Sequence, residues 1–600
     1  MKKVWNWLDH RTGVQKITHE ALYENIPGGS RWRYVWGSTL TFALMVQFIT
    51  GVFLWMAYSP SSQTAWESVF YIQNEMAGGW LLRGIHHYTA QLMTILLALH
   101  LMQTVIDGAY KAPREINFWF GLILLMLVLA LSLTGYLLPW DQKGYWATKV
   151  STNIAGITPL VGSMIQKVII GGVDYGHHTL TRFFALHAGV LPAAIIALLA
   201  GHIYLFRRHG ITPKRPYRTR DEAFWPEQVL KDAVACLAVL ATVLFLIMLP
   251  RLRDSNAALG AELGAPADPS EAFSAARPEW YFLFLFQFLK YFPGESEIVG
   301  AMIIPSVLMA VIFLMPFIGK WELGHRFNVL FLFAMLIGAG FLTYLAKAQD
   351  SKDPIYRAAV KDAEASAERV RYLARAGIPP TGALTLLKND PQTQGPKLFA
   401  SRCASCHRYD GHDGLGGKPQ DPQSAPELKD FGSRAWLTRF LDPENIASSN
   451  YFGGTRFRDA KMVRFVKKDI HGFSPEQKQK LEKVIKAISA EAGLPAQAEM
   501  DKTDAETIAQ GRQLATTEEM RCTECHQFRK KDESAIAPDL TGWASRAWLI
   551  GIISNPAHEG YYGRRNDRMP AFGAEGILTT NQIQLLADWL RGEGLDSDLR

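Results

Sequence analysis

Residues 83–106 read RGIHHYTAQLMTILLALHLMQTVI, and no Asp, Glu, Lys or Arg follows Arg83 in this stretch. From Ile85 to Ile106 the stretch is long enough to cross the roughly 30 Å hydrocarbon core of a membrane as an α-helix. A helix is expected because lipid offers the backbone no hydrogen-bond partners. Similar uncharged stretches recur, and we predict seven membrane spans: Tyr34–Tyr58, Ile85–Ile106, Phe118–Trp140, Phe183–Phe206, Ala233–Pro250, Ile298–Gly319 and Phe327–Ala346.

The chain of 600 residues is 48% apolar and 20% charged, but the two kinds of residue are unevenly distributed. Charge is dense after Ala346, where no further uncharged stretch of this length occurs. This composition excludes collagen-like and disordered proteins, and five cysteines are too few for a disulfide-stabilised scaffold of this length. A net charge of +7 is mild for the length and does not indicate binding to nucleic acid.

Lys and Arg residues are concentrated in alternate loops, and this pattern predicts the orientation of the chain. No Lys or Arg occurs between Ser59 and Trp80, after the first span. The N-terminus is therefore predicted to be cytoplasmic and, with seven spans, the C-terminus is predicted to lie outside. The basic residues are Lys2, Lys3, Arg11, Lys16, Arg31 and Arg33 before the first span, Lys111 and Arg114 after the second, and Arg207, Arg208, Lys214, Arg215, Arg218 and Arg220 after the fourth.

Four histidines lie inside the predicted spans at matched intervals. His86 and His100 are fourteen residues apart in the second span, and His187 and His202 are fifteen apart in the fourth. Both intervals are close to four helical turns, so each pair lies on one helix face, about 21–22 Å apart. Because imidazole is costly in lipid unless partnered, and is a good iron ligand, the pattern predicts two bis-histidine haems, one above the other. For any single histidine, the alternatives are a hydrogen-bonded core residue and a step of a proton path.

Glycines repeat the same interval in two other spans. Gly37 and Gly51 are fourteen residues apart in the first span, as are Gly121 and Gly135 in the third. Glycine lets helix backbones approach closely, which a flat macrocycle at two levels requires.

Four of the five cysteines lie in two Cys-x-x-Cys-His motifs, Cys403, Cys406 and His407, and Cys522, Cys525 and His526. Two thiols at this spacing can bond the two vinyl groups of one porphyrin, and the histidine can bind its iron, so we predict two covalent c-type haems. Zinc binding and disulfide exchange are the alternatives, and the histidine directly after the second cysteine favours haem. Cys236 is predicted to pack as a small apolar residue.

The two motifs belong to an internal repeat, since residues 426–437 (PELKDFGSRAWL) match residues 538–549 (PDLTGWASRAWL). Later in each repeat, Met462 and Met569 occupy matching positions. They are predicted to be the sixth iron ligands, because thioether sulfur raises the haem potential, and His471 and His558 are the competing ligands. The repeats end in predicted amphipathic helices, Ser474–Ala490 and Thr580–Leu590.

Several motifs of the apolar half resemble those of the cytochrome b subunit of quinol-oxidising cytochrome bc complexes. They are residues 83–86 (RGIH), 135–142 (GYLLPWDQ), 179–187 (TLTRFFALH) and 278–281 (PEWY), and the resemblance covers about residues 20–346. The interval of fifteen between His187 and His202 is similar to that of the plastid-type branch. The resemblance implies that His86 and His187 bind an outer haem, that His100 and His202 bind an inner haem, and that Arg83 and Arg182 face haem propionates.

Two candidate quinone sites follow from this resemblance. Glu279, beside a short apolar helix over 281–292, is predicted to accept a proton from quinol, with Tyr281 and Tyr136 shaping the site. A helix that begins at Pro278 with a glutamate in its first turn is the alternative explanation. At the inner site the candidates are Arg207, Lys231 and Asp232, for which an ordinary positively charged membrane face is the alternative.

We therefore predict an all-α protein, a seven-helix cytochrome b bundle followed by two small helical cytochrome c modules. The predicted domains are a four-helix part that binds two b haems (1–222), a three-helix part with the PEWY motif (223–349), a charged helical linker (350–390), and two cytochrome c modules (391–495 and 500–600). The implied activity is that of a quinol:cytochrome c oxidoreductase, in which quinol oxidised at the outer face supplies two b haems and two c haems while protons are translocated.

The cysteine count also predicts a partner. Four cysteines belong to the haem motifs, so an iron–sulfur cluster cannot be built from the remaining Cys236, and the Rieske iron–sulfur protein must be separate. The other expected partners are a soluble cytochrome c or another extracytoplasmic acceptor and a second copy of the complex, in a bacterial cytoplasmic membrane. The alternatives are a quinol dehydrogenase subunit that feeds an extracytoplasmic reductase without a Rieske partner, and an electron conduit or haem-based sensor without quinol chemistry.

Overall fold

The computed structural model describes residues 2–213, 220–255, 257–419, 421–532 and 534–594. The chain divides into two compact units, Met1–Leu384 and Thr385–Arg600. Three residues used to predict the orientation, Lys214, Arg215 and Arg218, lie outside the described residues, as does the 595–600 end of the second predicted cytochrome c module.

In the described part of the first unit, the regular structure is helical apart from a short ribbon in which β1 (Asn25–Ile26) pairs antiparallel with β2 (Glu222–Ala223). Its helices are α1 (Lys2–Thr12), α2 (Val14–Leu22), α3 (Trp36–Trp55), α4 (Ala65–Asn74), α5 (Gly79–Ile106), α6 (Glu115–Leu137), α7 (Gln142–Gly156), α8 (Gly162–Ile170), α9 (His177–Ala185), α10 (Leu191–His209), α11 (Val229–Arg253), α12 (Leu283–Leu289), α13 (Ile304–Ile318), α14 (Glu322–Lys352) and α15 (Pro354–Ala374).

Seven helices in the described part of the chain are long and apolar enough to cross a membrane, which confirms the predicted number of spans. They cover Trp36–Trp55, Gly79–Ile106, Glu115–Leu137, His177–His209, Phe224–Arg253, Gly294–Ile318 and Glu322–Lys352.

The fourth span contains a π-helical segment, Leu186–Val190, which joins α9 to α10. A π turn adds one residue without adding a turn to the helix. His187 lies in this segment, and it is the histidine whose interval to the next is fifteen rather than fourteen residues. The extra residue is therefore taken up locally, and His187 and His202 stay on one face of the span.

Five helices surround the first part of the membrane core. α3 packs against α5, α6 packs against α10, and α11 lies against both α3 and α5. The buried side chains between them include Ala43, Met93, Leu96, Val128 and Ile195. Because each helix exposes its remaining apolar residues, the bundle has the outward-facing surface that lipid requires.

One loop of the three-helix part, residues 257–267, is bound to the start of α7. The amide of Gln142 donates to the Ala265 carbonyl at 2.9 Å, and the amide of Ala267 donates to the Trp140 carbonyl at 2.9 Å. The indole of Trp66, on α4, donates to the Gly264 carbonyl at 2.8 Å. The four-helix and three-helix parts are therefore joined by main-chain hydrogen bonds at this end of the bundle.

The charged helix predicted as a linker forms as α15, and it contacts the same end of the bundle. Its Arg371 donates to the Leu263 carbonyl at 2.9 Å. Arg277 makes a bidentate ion pair with Asp350, at 2.8 and 2.9 Å. Its guanidinium carbon lies 4.2 Å from the ring centre of Tyr356, at the start of α15. α15 is therefore anchored at both ends to the segment that precedes α12.

The second unit is also helical, which confirms the predicted all-α fold. Its helices are α16 (Leu384–Lys388), α17 (Pro391–Arg402), α18 (Arg434–Phe440), α19 (Lys461–Phe465), α20 (Pro475–Ala492), α21 (Ala498–Thr503), α22 (Ala505–Leu514), α23 (Arg546–Ser554) and α24 (Thr580–Leu590). The two predicted amphipathic helices are α20 and α24, and each begins with a capping box, at Ser474 and Thr579.

The crossing of α5 and α11 provides a test of packing in the membrane core. A Cβ at Gly84 would lie 2.9 Å from Cγ1 of Ile247, which is fully buried. Gly84→Ala should therefore destabilise the protein by about 1–3 kcal/mol through overpacking, and Ile247→Ala in the same chain should restore part of that loss. Thermal unfolding of the purified protein in detergent measures both effects. Gly338→Ala, where no heavy atom lies within 4 Å, is the control, and an equal effect of the two glycine variants would contradict this packing.

Candidate cofactor and quinone sites

The first histidine pair is brought together across the bundle. His86 lies on α5 and His187 lies in the π segment, and their ring centres are 6.3 Å apart, with the ring planes at 70°. Two imidazoles that bind one metal through nitrogens at about 2 Å have ring centres about 6 Å apart. The two rings therefore have the separation that a shared metal requires.

Hydrogen bonds fix which nitrogen of each ring in this pair is available. Nδ1 of His86 is 2.9 Å from Oγ1 of Thr50, on α3. Nδ1 of His187 is 3.1 Å from the Leu131 carbonyl and 3.2 Å from Oγ1 of Thr134, both on α6. With Nδ1 engaged in each ring, Nε2 is the nitrogen left to bind a metal.

The second histidine pair repeats this arrangement at the other level of the membrane. His100 and His202 have ring centres 6.4 Å apart and ring planes at 81°. Nδ1 of His202 is 3.0 Å from the Asn117 carbonyl. Nδ1 of His100 is buried and has no hydrogen-bond partner among the described residues, so His100 is not held as a hydrogen-bonded core histidine.

The four predicted glycines all face these imidazoles. A Cβ added at Gly51 would lie 3.4 Å from Cε1 of His86, and one added at Gly135 would lie 2.5 Å from Cε1 of His187. A Cβ added at Gly121 would lie 3.3 Å from Cε1 of His202. A Cβ added at Gly37 would lie 3.7 Å from Cε1 of His100, which is an ordinary contact. At Gly135 in particular a side chain would displace the ring. The paired imidazoles and their glycine neighbours thus fit a flat, metal-centred group at each level.

The two predicted propionate-binding arginines make contacts within the protein. Arg83 donates to Oε1 of Gln73 and to the carbonyls of Ala261 and Glu262, at 2.7–2.9 Å. Arg182 donates to the Val168 carbonyl, at the end of α8. Arg83 therefore ties α5 to the 257–267 loop, and its role toward a haem stays a prediction.

The PEWY segment lies against α5 and α6. Nε1 of Trp280 is 3.3 Å from Oε1 of Gln91, whose amide is 2.8 Å from Nε2 of His87. Tyr281 hydrogen-bonds to Ser132, one turn before Tyr136 on α6. Glu279 and Tyr281 both lie within electrostatic range of Tyr136, so the structure brings the three predicted quinol-site residues together.

Charged groups from two distant parts of the chain surround Glu279. Burial raises the pKa of the Glu279 carboxyl; the ammonium group of Lys143 opposes this shift, while the carboxylates of Glu262 and Asp141 add to it. Lys143 and Glu262 form an ion pair at 2.7 Å. A carboxyl group whose pKa is raised toward neutrality is better matched to the work of a general base.

Asp141 is buried, and it connects the segments that carry Lys143 and Glu262. Its carboxylate caps α7 by accepting from the Gly144 amide at 2.9 Å, and its other oxygen accepts from the Gly264 amide at 3.1 Å. Burial raises the pKa of Asp141, against the effect of these two amides. The buried carboxyl thus joins the loop that carries Glu262 to the helix that carries Lys143.

A surface cavity of about 440 Å³ lies next to the PEWY motif. Its lining includes Arg277, Pro278, Trp280 and Tyr356, but not Glu279. The cavity therefore lies beside the carboxylate of the motif and not around it.

The three inner-site candidates lie near the β1–β2 ribbon. Arg207 forms an ion pair with Glu24 at 2.8 Å. Nζ of Lys231 donates to Oγ of Ser30 at 2.8 Å, and Asp232 accepts from Nε2 of Gln228 at 2.8 Å. Each candidate thus has a partner from this end of the bundle, with Lys231 and Asp232 adjacent on α11.

The two Cys-x-x-Cys-His motifs of the second unit have matching local geometry. Nδ1 of His407 is 2.7 Å from the Pro426 carbonyl, and Nδ1 of His526 is 2.7 Å from the Pro538 carbonyl. Burial lowers the pKa of both histidines, which favours the neutral ring that can bind a metal through Nε2. None of the four cysteines forms a disulfide among the described residues, where the buried indole Nε1 of Trp548 also has no hydrogen-bond partner.

Several residues of these sites were not predicted from the sequence. Thr50 and Thr134 hold the first histidine pair, and each directly precedes one of the paired glycines, a Thr-Gly repeat that is visible in the sequence. Lys143 and Glu262 carry no such signal, because they are 119 positions apart and meet only through the fold.

The comparisons with known proteins match residues of the first unit. A family model described as Cytochrome b/b6/petB matches residues 24–210, and one described as Cytochrome b(C-terminal)/b6/petD matches residues 266–360. The menaquinol:cytochrome c reductase cytochrome b subunit of Bacillus subtilis is 39% identical over 220 residues, which cover 35% of this chain and 98% of that protein. The cytochrome bc complex cytochrome b subunit of Chlorobaculum thiosulfatiphilum is 34% identical over 332 residues, or 54% of this chain and 75% of that protein.

A solved structure titled "Hyperthermophilic respiratory Complex III" is 26% identical, with a TM-score of 0.50, and the match covers 59% of this chain and 93% of that chain. The two family models together include both histidine pairs and the PEWY motif. With nearly the full length of a relative matched at 39% identity, the chain belongs to the cytochrome b/b6 family.

Proposed function

We propose that the chain is the electron-transfer subunit of a quinol:cytochrome c oxidoreductase, fused to a di-haem cytochrome c region. The observation that carries this proposal is the pair of stacked bis-imidazole sites, with ring centres 6.3 and 6.4 Å apart on the same two spans. Bound haem supplies reversible one-electron transfer at these sites and at the two Cys-x-x-Cys-His motifs. His86 with His187 and His100 with His202 would hold the two b haems, and Arg83 and Arg182 are proposed to serve the propionates.

At the outer face the residues of this chain would bind quinol and take up its protons. Each quinol that is oxidised releases two protons and two electrons, so a base is needed at the membrane edge. Glu279 is that base in the proposal: it accepts a proton on its carboxylate, while Tyr281 and Tyr136 orient the quinol ring. The ion pair of Lys143 and Glu262 sets the electrostatic environment of this carboxylate.

At the inner face the opposite proton movement is needed, because a quinone that gains two electrons must also gain two protons. Lys231 and Asp232 are proposed to supply or relay those protons, with Arg207 as a fixed positive charge, since all three lie near the ribbon at the cytoplasmic end in the proposed orientation. Release of protons outside and uptake inside would translocate charge across a bacterial cytoplasmic membrane.

In the second unit Cys403 and Cys406, and Cys522 and Cys525, would attach two c haems covalently, with His407 and His526 as iron ligands and Met462 and Met569 as the sixth ligands. A separate Rieske iron–sulfur protein, a soluble cytochrome c or another outer acceptor, and a second copy of the complex are the proposed partners. We propose that the membrane part belongs to the plastid-type branch, on the interval of fifteen residues between His187 and His202.

The cofactor content of the native complex tests this proposal. A pyridine haemochrome assay should give two b haems and two c haems per chain, and electron paramagnetic resonance of the isolated complex should show a Rieske signal. Absence of the Rieske signal would instead support a quinol dehydrogenase that works without that partner. Any other haem count would contradict the ligand assignment.

Glu279→Gln tests the proposed base. The amide cannot accept the proton, so the rate of quinol oxidation should fall by about 10²-fold or more, while the haem spectra stay unchanged. Steady-state reduction of cytochrome c by quinol measures the rate. Glu295→Gln, at an exposed position after α12, is the matched control, and an unchanged rate in Glu279→Gln would remove the residue from the mechanism.

The pH profile of quinol oxidation should respond in opposite directions to the two partners of the ion pair. Activity should fall as the pH drops through the pKa of Glu279, because the protonated carboxyl cannot accept a proton. Lys143 opposes the upward shift of this pKa, so Lys143→Gln should move the acid limb to higher pH. Glu262 adds to the shift, so Glu262→Gln should move the limb to lower pH. Both changes should shrink at high salt, and a shift in the same direction for both variants would exclude this electrostatic control.

A further inference from the structure

The helices of the two sequence repeats exchange partners in the second unit. In each repeat one helix precedes the Cys-x-x-Cys-His motif, α17 in the first and α22 in the second, and one helix ends the repeat, α20 in the first and α24 in the second. α17 of the first repeat packs against α24 of the second, and α20 of the first packs against α22 of the second. The packed helix pairs are therefore formed between repeats.

Matching glycines mark the two crossings. Gly395 on α17 lies so close to Trp589 on α24 that a Cβ would overlap the indole side chain. Gly511 on α22 lies against the Lys483 carbonyl of α20, and a Cβ there would be 2.9 Å from Cβ of Ala487. Each crossing depends on a helix backbone without a side chain at the contact, so both are specific contacts between one repeat and the other.

The first motif shares its hydrophobic core with the end of the second repeat. Phe399 and Ala404, beside Cys403, are buried with Phe572 and Trp589, and Cys403 and Met569 both pack against this cluster. The ring of Tyr409, two residues after His407, stacks on that of Trp589 with centres 4.4 Å apart. The methionine that lies by this motif is therefore Met569.

The second motif shares its core with the first repeat. Met520 and Phe528, on either side of Cys522, are buried with Trp436 and Tyr451. Arg521, directly before Cys522, forms an ion pair with Asp469 at 3.4 Å and lies 5.7 Å from the ring centre of Phe465. Phe465 belongs to α19, the helix that carries Met462, and the cores around Cys522 and Met462 share the flanking side chains Phe440, Leu441, Phe473 and Leu481.

The two repeats also contact each other directly, through equivalent positions of the chain. Leu428 packs in the core of the first motif, and Phe431 packs in the core of the second. The rings of Phe431 and its counterpart Trp543 have centres 4.9 Å apart, and a Cβ at Gly432 would lie 2.7 Å from Cβ of its counterpart Ala544. The repeats thus meet through the same short segment, as two copies related by a local two-fold axis do.

We propose that each c haem of this chain is held by both repeats, so that Cys403, Cys406 and His407 share their haem with Met569, and Cys522, Cys525 and His526 share theirs with Met462. One haem-binding unit is then continuous, residues 434–543, and the other is built from residues 391–430 and 546–594. This inference rests on the proposed function, since it assigns ligands to the c haems proposed there.

The competing ligands do not fit either core. His471 and His558 are both exposed, and Nδ1 of His558 accepts a hydrogen bond from the Gly560 amide at 3.2 Å. Met462 and Met569 are half-buried and pack against the clusters described above. The two methionines are therefore the candidate ligands whose hydrophobic surroundings are shared with a motif, in each case the motif of the opposite repeat.

Full-length variants with a single c haem test the pairing. Cys403→Ala with Cys406→Ala leaves only the motif at 522–526, and the oxidised protein should keep the near-infrared charge-transfer band of methionine sulfur bound to haem iron. In that background Met462→Ala should abolish the band and Met569→Ala should leave it. In the reciprocal background, Cys522→Ala with Cys525→Ala, the effects of the two methionine variants should be exchanged.

The opposite result, with Met569→Ala abolishing the band of the 522–526 haem, would overturn the proposal in favour of ligation within each repeat. Retention of the band in both methionine variants would overturn it as well, because neither methionine would then be the ligand. If the unmodified protein gave no covalent haem in a pyridine haemochrome assay, the proposed function would fail, which is a separate and recognisable outcome.

A size exchange at the helix crossing tests the same pairing without haem. Gly395→Val should increase the rate at which a protease cleaves the region 385–594 in the full-length protein. Trp589→Ala, which makes room on α24, should reverse that increase, whereas Val484→Ala, at the equivalent position of α20, should not. Rescue by Val484→Ala and not by Trp589→Ala would show that α17 pairs within its own repeat and would overturn the proposal.

Discussion

Two imidazoles on different helices must come within about 6 Å of each other, twice, at depths separated by four helical turns. This requirement fixes the relative height and rotation of α5 and α10, because an error of one residue turns a ring by about 100° away from its partner. It also governs α3 and α6, whose glycines and Thr50 and Thr134 stand against the rings. The π segment at His187 belongs to the same requirement, since it absorbs the one residue by which the two intervals differ.

The outer site depends on the way in which the two parts of the membrane bundle are joined. Glu279 lies on the segment before α12, Lys143 on α7, and Glu262 on the loop between α11 and that segment. The buried carboxyl of Asp141 connects the last two through the amides of Gly144 and Gly264. Because the charges that act on Glu279 come from both parts, its electrostatic environment exists only when the loop is bound to the start of α7.

Much of this molecule could be predicted from local sequence, and the remainder depends on contacts that no local pattern encodes. The spans follow from the absence of charge, and the four histidines follow from helical periodicity, so both were accessible. The interval of fifteen was also visible, but a straight helix accommodates it almost as well as fourteen, and the π segment was therefore not foreseen. Lys143 and Glu262 are 119 positions apart in the sequence, and their ion pair forms only in the folded chain. The exchange of helices between repeats was hidden for the opposite reason: α20 and α24 have the same amphipathic pattern, so either could pack on α17.

The interleaved helices bear on the order in which the protein can mature. During synthesis residues 391–430 leave the ribosome well before residues 546–594, so in the proposed orientation the first thiol pair would be exported while its proposed methionine is still unmade. Residues 434–543 are contiguous and can complete their own core as they emerge. The motif that comes first in the chain is thus the last to be finished, and the enzymes that attach haem would meet it as an open half-site. The two Cys-x-x-Cys-His motifs, although similar in sequence, would therefore differ in the time at which their haem-binding cores are completed.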